Sequence, residues 1–259
     1  RDRSVSRGLG DVYKRQMGLF EDPYGKTFKN RKRHSPESVK LAKTIADEST
    51  VLLKNENQLL PLDTKSLKSI AIIGPNADQV QFGDYTWSRN NKDGVTPLQG
   101  IKNRVNKNTA IHYAKGCSLT SLDTSGIAEA VEAAKNSEVA VIFGGSASAA
   151  LARDYKSSTC GEGFDLNDLN LTGAQSQLIR EVYRTGTPVI LVLVTGKPFV
   201  IEWEKNNLPA ILVQWYAGEQ AGNSIADILF GKVVPSGRLT FSFPRSTGHL
   251  PCLLYTSDA

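Results

Sequence analysis

Short apolar runs alternate with amphipathic segments through most of the chain. Five runs have the length of a strand and are hydrophobic on both faces: residues 69–74, 110–113, 139–144, 188–195 and 210–216. Three segments between or after them repeat apolar residues with helical spacing: residues 125–136, 172–185 and 218–230. This alternation predicts an α/β fold, a mainly parallel sheet with helices on both faces.

Two further elements are predicted at the borders of this region. Ser35, Pro36 and Glu37 form a helix start, with an N-cap, a proline in the first turn and a carboxylate at the positive end. Apolar spacing continues this helix to about residue 54. Near the other border, residues 237–243 alternate apolar and polar positions, which predicts a last strand that can lie antiparallel at a sheet edge.

The remaining segments give the domain organisation that we expect. Residues 1–16 and 252–259 lack apolar periodicity and resemble translated sequencing-adapter read-through, so we expect artefact or disordered tails there. Residues 17–35 mix glycine, proline and charge, as a linker does. Residues 36–251 are then one domain. The chain has 259 residues, 40% of them hydrophobic, without an apolar run long enough to predict a membrane span.

Charge does not favour a nucleic-acid partner. The net charge of +5 falls to +3 without the two ends, and five positive residues cluster within the linker at 26–33. Outside that cluster the chain is net acidic by two. A nucleic-acid interface needs a basic face on the folded domain, so we expect none here.

Cofactor and metal motifs are weak. The IIGPNAD segment lacks the GxGxxG pattern, and GGSASA lacks the GK[ST] ending of a phosphate loop. Cys117 and Cys160 have neither zinc-ligand spacing nor a neighbouring histidine, and we expect them to be thiols rather than a disulfide. We therefore expect no metal and no organic cofactor.

Glu162 is the first candidate for catalysis. It lies between Gly161 and Gly163 in the loop that follows the third predicted strand. Such a glutamate can act as a general acid, because an apolar neighbour such as Phe164 raises a carboxyl pKa. From the residues alone, an ordinary exposed loop carboxylate is the alternative.

Candidate sugar-binding residues lie in the same group of loops. Asp84 and Trp87 belong to the GDYTW segment after the first predicted strand, where an aromatic ring can stack on a sugar and a carboxylate can take its hydroxyls. Arg153, in the loop of Glu162, is the third candidate. The alternatives are a tryptophan that covers the end of the core and a surface ion pair between Arg153 and Asp154.

Six motifs in order carry a family resemblance. They are STVLLKNENQLLPL, IAIIGPNAD, GDYTW, GEGFDLNDLNLTGAQ, VLVTGKP and WYAGEQAGNSIADILFGKVVPSGRLTFSFPRSTGHLP. Together they resemble the second domain of glycoside hydrolase family 3, with the bacterial β-glucosidases and β-xylosidases most similar. The resemblance covers about residues 36–251, and GLFEDPY resembles the linker that leaves the preceding barrel.

The resemblance implies a function. It implies an α/β sandwich that packs on an N-terminal (β/α)8 barrel of the same protein, with Glu162 as general acid/base and the nucleophile supplied by the barrel. The reaction would be retaining hydrolysis of terminal β-linked sugars, β-glucosides first, without a cofactor. It also implies a periplasmic or secreted protein. No SDW-type nucleophile motif occurs in this sequence, so we expect the chain alone to be inactive.

Alternatives remain open at this point. Within the same family, β-xylosidase and N-acetylglucosaminidase activity are the alternatives, since the barrel makes most of the sugar contacts. Outside catalysis, a sugar-binding or interaction domain and a nucleotide-binding α/β module are the two other classes. The loop before GEG is shorter than in many relatives, which bears on the reach of Glu162.

Overall fold

The computed structural model describes residues 12–24, 34–86, 88, 90–148, 159–161 and 167–248. The chain forms two compact units, Arg1–Val39 and Lys40–Ala259. In the first unit, residues 12–16 form a helical turn, and the Ser38 amide donates to Ser35 Oγ at 3.2 Å. That bond confirms the predicted N-cap of the first long helix. The second unit contains the sheet.

The sheet has six strands in its described part. They are β1 (Val51–Asn55), β2 (Ser69–Ile73), β3 (Ala110–Ala114), β4 (Val139–Gly145), β5 (Val189–Val194) and β6 (Ala210–Val213). Their order across the sheet is β1-β6-β5-β4-β2-β3. All neighbours are parallel except β1 and β6, which are antiparallel. The predicted mainly parallel sheet with an antiparallel edge is confirmed, although the antiparallel strand is the first and not the last.

The helices lie on both faces of this sheet. The described residues contain α1 (Pro36–Ser49), α2 (Pro97–Arg104), α3 (Ile127–Lys135), α4 (Gln175–Tyr183), α5 (Glu202–Asn207) and α6 (Ala221–Leu229). Three short 3₁₀ turns are Glu56–Gln58, Asn91–Asp93 and Gly218–Gln220. The predicted helices at 125–136, 172–185 and 218–230 correspond to α3, α4 and α6, each slightly shorter than predicted.

Alternate residues of each inner strand enter two separate cores. On one face, Ile73, Ile142 and Leu191 pack with apolar residues of α3 and α4. On the other face, residues one position away, such as Val141 and Val192, pack with α2 and α6. Every residue of β4 and β5 is buried. Strands covered on both faces explain the continuous apolar runs in the sequence.

The end of α1 differs from the prediction. The helix ends at Ser49, where the hydroxyls of Ser49 and Thr50 both donate to Ala46 O. The predicted last turn is instead β1, whose residues pair with β6. Apolar spacing at Leu52 and Leu53 is compatible with a helix or a strand. The segment becomes a strand because its backbone pairs with the edge of β6.

The predicted strand at residues 237–243 is wrong. The backbone there has no strand pairing; its Gly237 amide donates to Thr50 O at 3.0 Å, where the chain crosses the junction of α1 and β1. The alternating aromatic residues serve packing instead. Phe241 meets Trp215 edge to face at 5.5 Å between ring centroids and lies 6.2 Å from Phe243. The edge beside β6, where this segment could have paired, is already occupied by β1.

Candidate functional site

The chain direction across the sheet reverses between β2 and β4. From β2 it moves outward through α2 to the edge strand β3, and from β4 it moves the other way through α4 to β5. The helices α2 and α4 cover opposite faces. The loops that leave the carboxyl ends of β2 and β4 therefore diverge and open a crevice, the usual ligand site of an open α/β sheet. Asp84 belongs to the first loop and Glu162 to the second.

Asn76 joins the bases of these two loops. It is fully buried, and its amide N–H donates to Phe143 O at 3.1 Å. Its side-chain amide donates to the carbonyls of Gly144 and Ser146 at 3.4 Å, while its own side-chain oxygen accepts from Gln81 Nε2 at 2.8 Å. The first loop is thereby fixed to the end of β4.

The loop of Glu162 returns to the sheet at Thr159 and Cys160. The Thr159 amide donates to Ala147 O at 3.0 Å, the Ala147 amide donates to Thr159 Oγ1 at 3.1 Å, and Cys160 pairs with Ser148 in a parallel bridge. Cys160 is buried as a thiol, as predicted, and the same holds for Cys117. Thr159 and Cys160 are thus held against the segment that follows β4, and Cys160 is two residues before Glu162.

A buried polar cluster lies under that point. The Tyr216 hydroxyl is 2.7 Å from Cys160 Sγ and 2.7 Å from Ser146 Oγ. Ser146 Oγ in turn donates to Thr195 Oγ1 at 3.0 Å. Burial raises the pKa of Tyr216 above its ordinary value, so its hydroxyl keeps its proton.

Lys197 places a cation beside this cluster. The residue is 7% exposed, and its Nζ makes no hydrogen bond within the described residues; it lies 4.7 Å from the ring centroid of Phe199. Burial lowers the pKa of Lys197, and nearby Cys160 and Asp168 raise it in part. These two neighbours flank residues 161–167 in sequence. The ammonium therefore stands near both ends of the Glu162 segment.

The structure places the predicted residues unequally. Asp84 lies half-buried in the loop after β2, beside Tyr85, which has a φ of +63° and is 79% exposed. Glu162, Trp87 and Arg153 lie outside the described residues. Gly161 is described and has a φ of +122°, a backbone region that favours glycine.

Sequence reasoning missed the buried polar residues of the site. They are Asn76, Gln81, Ser146, Thr195, Lys197 and Tyr216. Each ends a predicted strand or lies in the loop that follows one, which was the available signal. The bonds of Ser146 to Thr195 and Tyr216 join segments 49 and 70 residues apart, and local patterns do not reveal such pairs. Within the described ranges, no three histidine, cysteine, aspartate or glutamate side chains form a metal-sized cluster, and no helix is long and apolar enough to cross a bilayer.

Comparison with known proteins gives consistent similarities. Residues 50–258 match the model of the glycosyl hydrolase family 3 C-terminal domain. A β-xylosidase of Formosa agariphila is 39% identical over 257 residues, covering 96% of this chain and 34% of the relative. A periplasmic β-glucosidase of Salmonella typhimurium is 37% identical and is covered to 33% of its length.

A solved structure agrees with these relatives. The β-glucosidase of Listeria innocua, in a complex with glucose, superposes with a TM-score of 0.77 at 30% identity, over 92% of this chain and 31% of that one. The chain thus spans about a third of the length of the proteins that it matches.

Proposed function

The chain belongs to glycosyl hydrolase family 3, and from this premise we propose that it forms the domain that supplies the general acid/base of a retaining, exo-acting β-glycosidase. β-Glucosides are the first substrate class. The single observation that carries the proposal is the position of two loops. Those of Asp84 and Glu162 leave β2 and β4 at the reversal of chain direction, where α/β sheets hold ligands.

In this proposal Glu162 works twice. It first gives its proton to the leaving glycosidic oxygen while a carboxylate nucleophile attacks the anomeric carbon. It then takes a proton from the water that releases the glycosyl-enzyme. The two carboxyl groups of such a pair are about 5–5.5 Å apart. The nucleophile comes from an N-terminal (β/α)8 barrel, and Asp84, Trp87 and Arg153 contact the sugar.

The domain organisation follows the same proposal. Residues 36–251 form the C-terminal α/β sandwich, and residues 17–35 connect it to the barrel. Residues 1–16 and 252–259 are adapter-like sequence that we do not assign to this domain. The start of α1 at Pro36, directly after its Ser35 cap, supports the first of these boundaries.

β-Xyloside hydrolysis is the second candidate. The observation in its favour is the 39% identity to a protein named β-xylosidase, against 37% to one named β-glucosidase. The ratio of kcat/KM for 4-nitrophenyl β-D-glucoside and β-D-xyloside, measured on the complete protein, separates the two.

The decisive experiment replaces Glu162 with Gln in the complete protein. The variant keeps the nucleophile but lacks the proton donor, so substrates with poor leaving groups should slow by about 10²–10⁴. Dinitrophenyl glycosides should still glycosylate the enzyme and then stall. Azide needs no general base, and it should restore turnover and yield a β-glycosyl azide.

Glu129→Gln is the matched control, because Glu129 is an exposed glutamate on α3. It should behave as the parent on every substrate. A folded Glu162→Gln variant that shows no azide effect would transfer the role to another carboxylate of that loop, Asp165 or Asp154 first. If the complete protein binds sugars without turnover, a sugar-binding function replaces the catalytic one.

A further inference from the structure

Four side chains form one continuous hydrogen-bonded row beneath the Glu162 loop. Cys160 Sγ meets the Tyr216 hydroxyl, which meets Ser146 Oγ, which meets Thr195 Oγ1, and Thr195 Oγ1 ends on the carbonyl of Lys197 at 2.8 Å. Tyr216 follows β6, Ser146 follows β4 and Thr195 follows β5. The row therefore crosses the carboxyl ends of three neighbouring strands and finishes at the loop.

The direction of every bond in the row is fixed by proton counting. A carbonyl only accepts, so the one hydroxyl hydrogen of Thr195 is used on Lys197 O. Ser146 must then donate to Thr195, and Tyr216 must donate to Ser146. Cys160 Sγ has three acceptors within reach, and the Tyr216 oxygen at 2.7 Å is much nearer than Ser146 Oγ at 3.7 Å or Ala147 O at 3.8 Å, so Cys160 donates to Tyr216. Each group has one hydrogen and uses it once.

Two further features hold the row in place. Tyr216 packs directly on the backbone of Gly196, where any side chain would clash with the aromatic ring. The backbone beyond β6 is fixed as well, since the Gln214 amide donates to Leu193 O at 2.9 Å and Gln214 Nε2 donates to Ala221 O at 2.7 Å. The Tyr216 hydroxyl is thus a rigid point to which the loop attaches.

We propose that Tyr216 is a positioning residue for the acid/base: its hydroxyl fixes Cys160, and through Gly161 it fixes the backbone that carries Glu162. This inference rests on the function proposed above. Cys160 is only two residues from Glu162, and Gly161 between them has no side chain to pack. Without the hydroxyl, the loop keeps its hydrogen bonds between Thr159 and Ala147 but loses the contact of Cys160 with Tyr216, two residues before Glu162 in sequence.

Positioning of this kind has a specific kinetic signature. A displacement of about 1 Å in a catalytic group costs up to about 100-fold in rate. In kcat/KM, which reports the steps up to the glycosyl-enzyme, this cost falls on proton donation alone, because the nucleophile belongs to a different part of the protein. Substrates that need little proton donation should be insensitive to it.

The test is Tyr216→Phe in the complete protein, compared with Tyr183→Phe at the end of α4, on the opposite edge of the sheet. We expect kcat/KM for phenyl glycosides, which have poor leaving groups, to fall about 10- to 100-fold in Tyr216→Phe. Dinitrophenyl glycosides should glycosylate the enzyme at the parent rate. The plot of log kcat/KM against leaving-group pKa should be steeper than that of the parent. Tyr183→Phe should leave this slope unchanged.

Variants of Cys160 provide a second, independent measurement. Cys160→Ala removes the donor and should steepen the plot, whereas Cys160→Ser keeps a donor and should restore most of the activity. The double variant Cys160→Ala, Tyr216→Phe should be no slower than Tyr216→Phe alone, since the bond between Cys160 and Tyr216 is already absent in Tyr216→Phe.

The outcomes separate the two proposals. Equal loss of activity on all substrates, or a parental slope in both Tyr216→Phe and Cys160→Ala, overturns the positioning role while Glu162→Gln still shows azide rescue. If Glu162→Gln shows no azide effect, the assignment of the acid/base to Glu162 fails, and the positioning role, which is defined for Glu162, fails with it.

Discussion

The two edges of the sheet treat polar groups in opposite ways. At the carboxyl edge, Asn76, Ser146 and Thr195 are all completely buried and satisfy one another across three strands. At the amino edge, polar side chains such as Asp63 and Asn106 are exposed: Asp63 accepts from the Lys65 amide in its own turn, and Asn106 donates to Thr64 O in a neighbouring loop. The same sheet thus ends in a buried hydrogen-bonded cluster on one side and in exposed turns on the other.

This difference indicates where the chain keeps a fixed geometry. Burying a hydroxyl or an amide costs about 1–3 kcal/mol unless a partner is present. A buried cluster is therefore stable in only one arrangement. This cluster holds the two loops that leave β2 and β4 and open the crevice between them. The exposed turns at the amino edge can change without such a cost. Four measurements test whether the two edges differ in this way.

The largest effect is expected from a pair of glycines, one at each edge. Gly145 ends β4 with a φ of +126°, and a side chain there would clash with the carbonyl of Val194. Gly186 precedes β5 with a φ of +80° and has open space around it. We expect Gly145→Ala to lower the free energy of unfolding by at least about 3 kcal/mol, and Gly186→Ala by about 1 kcal/mol, the strain of positive φ alone. Urea unfolding measures both. Equal losses would show that the carboxyl edge is as tolerant as the amino edge.

The next effect compares two asparagines. Asn76→Ala removes the side-chain bonds to the carbonyls of Gly144 and Ser146 and the acceptor of the Gln81 side-chain amide in a buried site. We expect a loss of about 2–3 kcal/mol in the free energy of unfolding. Asn106→Ala removes one bond, from Asn106 Nδ2 to Thr64 O, in an exposed turn and should cost less than about 1 kcal/mol. If the two variants unfold at the same urea concentration, burial does not separate the edges.

Sequence alone predicts the elements of this fold that have a local pattern. Strands β2 to β6 were predicted within a few residues, because strands covered on both faces need continuous apolar runs. Helix α2 was missed although Thr96 caps it, with Thr96 Oγ1 accepting from the Gln99 amide. Glu162 was singled out by its two flanking glycines, and its predicted role rests on the family resemblance.

Residues that act through distant partners gave no such signal. Tyr216 and Ser146 are 70 positions apart, and either one alone resembles an ordinary loop residue. Strand β1 was missed for a related reason: its partner β6 lies at the far end of the chain. Local patterns therefore predict the layers, and pairing between distant segments determines both the edge strand and the buried cluster.

The third measurement concerns the buried cation at the carboxyl edge. The pKa of Lys197 in the folded chain is lowered by burial, so between that value and the ordinary lysine value of about 10.4 the unfolded chain binds more protons than the folded one. Stability from this group therefore rises as the pH rises through that window. Lys197→Met lacks the rise, so its stability relative to the parent should be highest at neutral pH and decline towards pH 10. Exposed Lys107→Met is the control. A difference that does not depend on pH would mean that Lys197 is not desolvated.

The smallest effect is expected at the amino edge. Arg184 and Glu181 form an ion pair one turn apart at the end of α4, with the Arg184 side chain 66% exposed. Water screens both charges, and holding two long side chains together costs entropy, so the coupling should be below about 0.5 kcal/mol. A double-mutant cycle of Glu181→Gln and Arg184→Met, read by urea unfolding, measures it. The coupling should also fall as NaCl is raised to about 1 M, where charges are screened beyond about 3 Å. A salt-insensitive coupling above about 1 kcal/mol would be the behaviour of a buried pair. Polar interactions would then be as strong at the amino edge as at the carboxyl edge, and the carboxyl edge would not be the more rigid of the two.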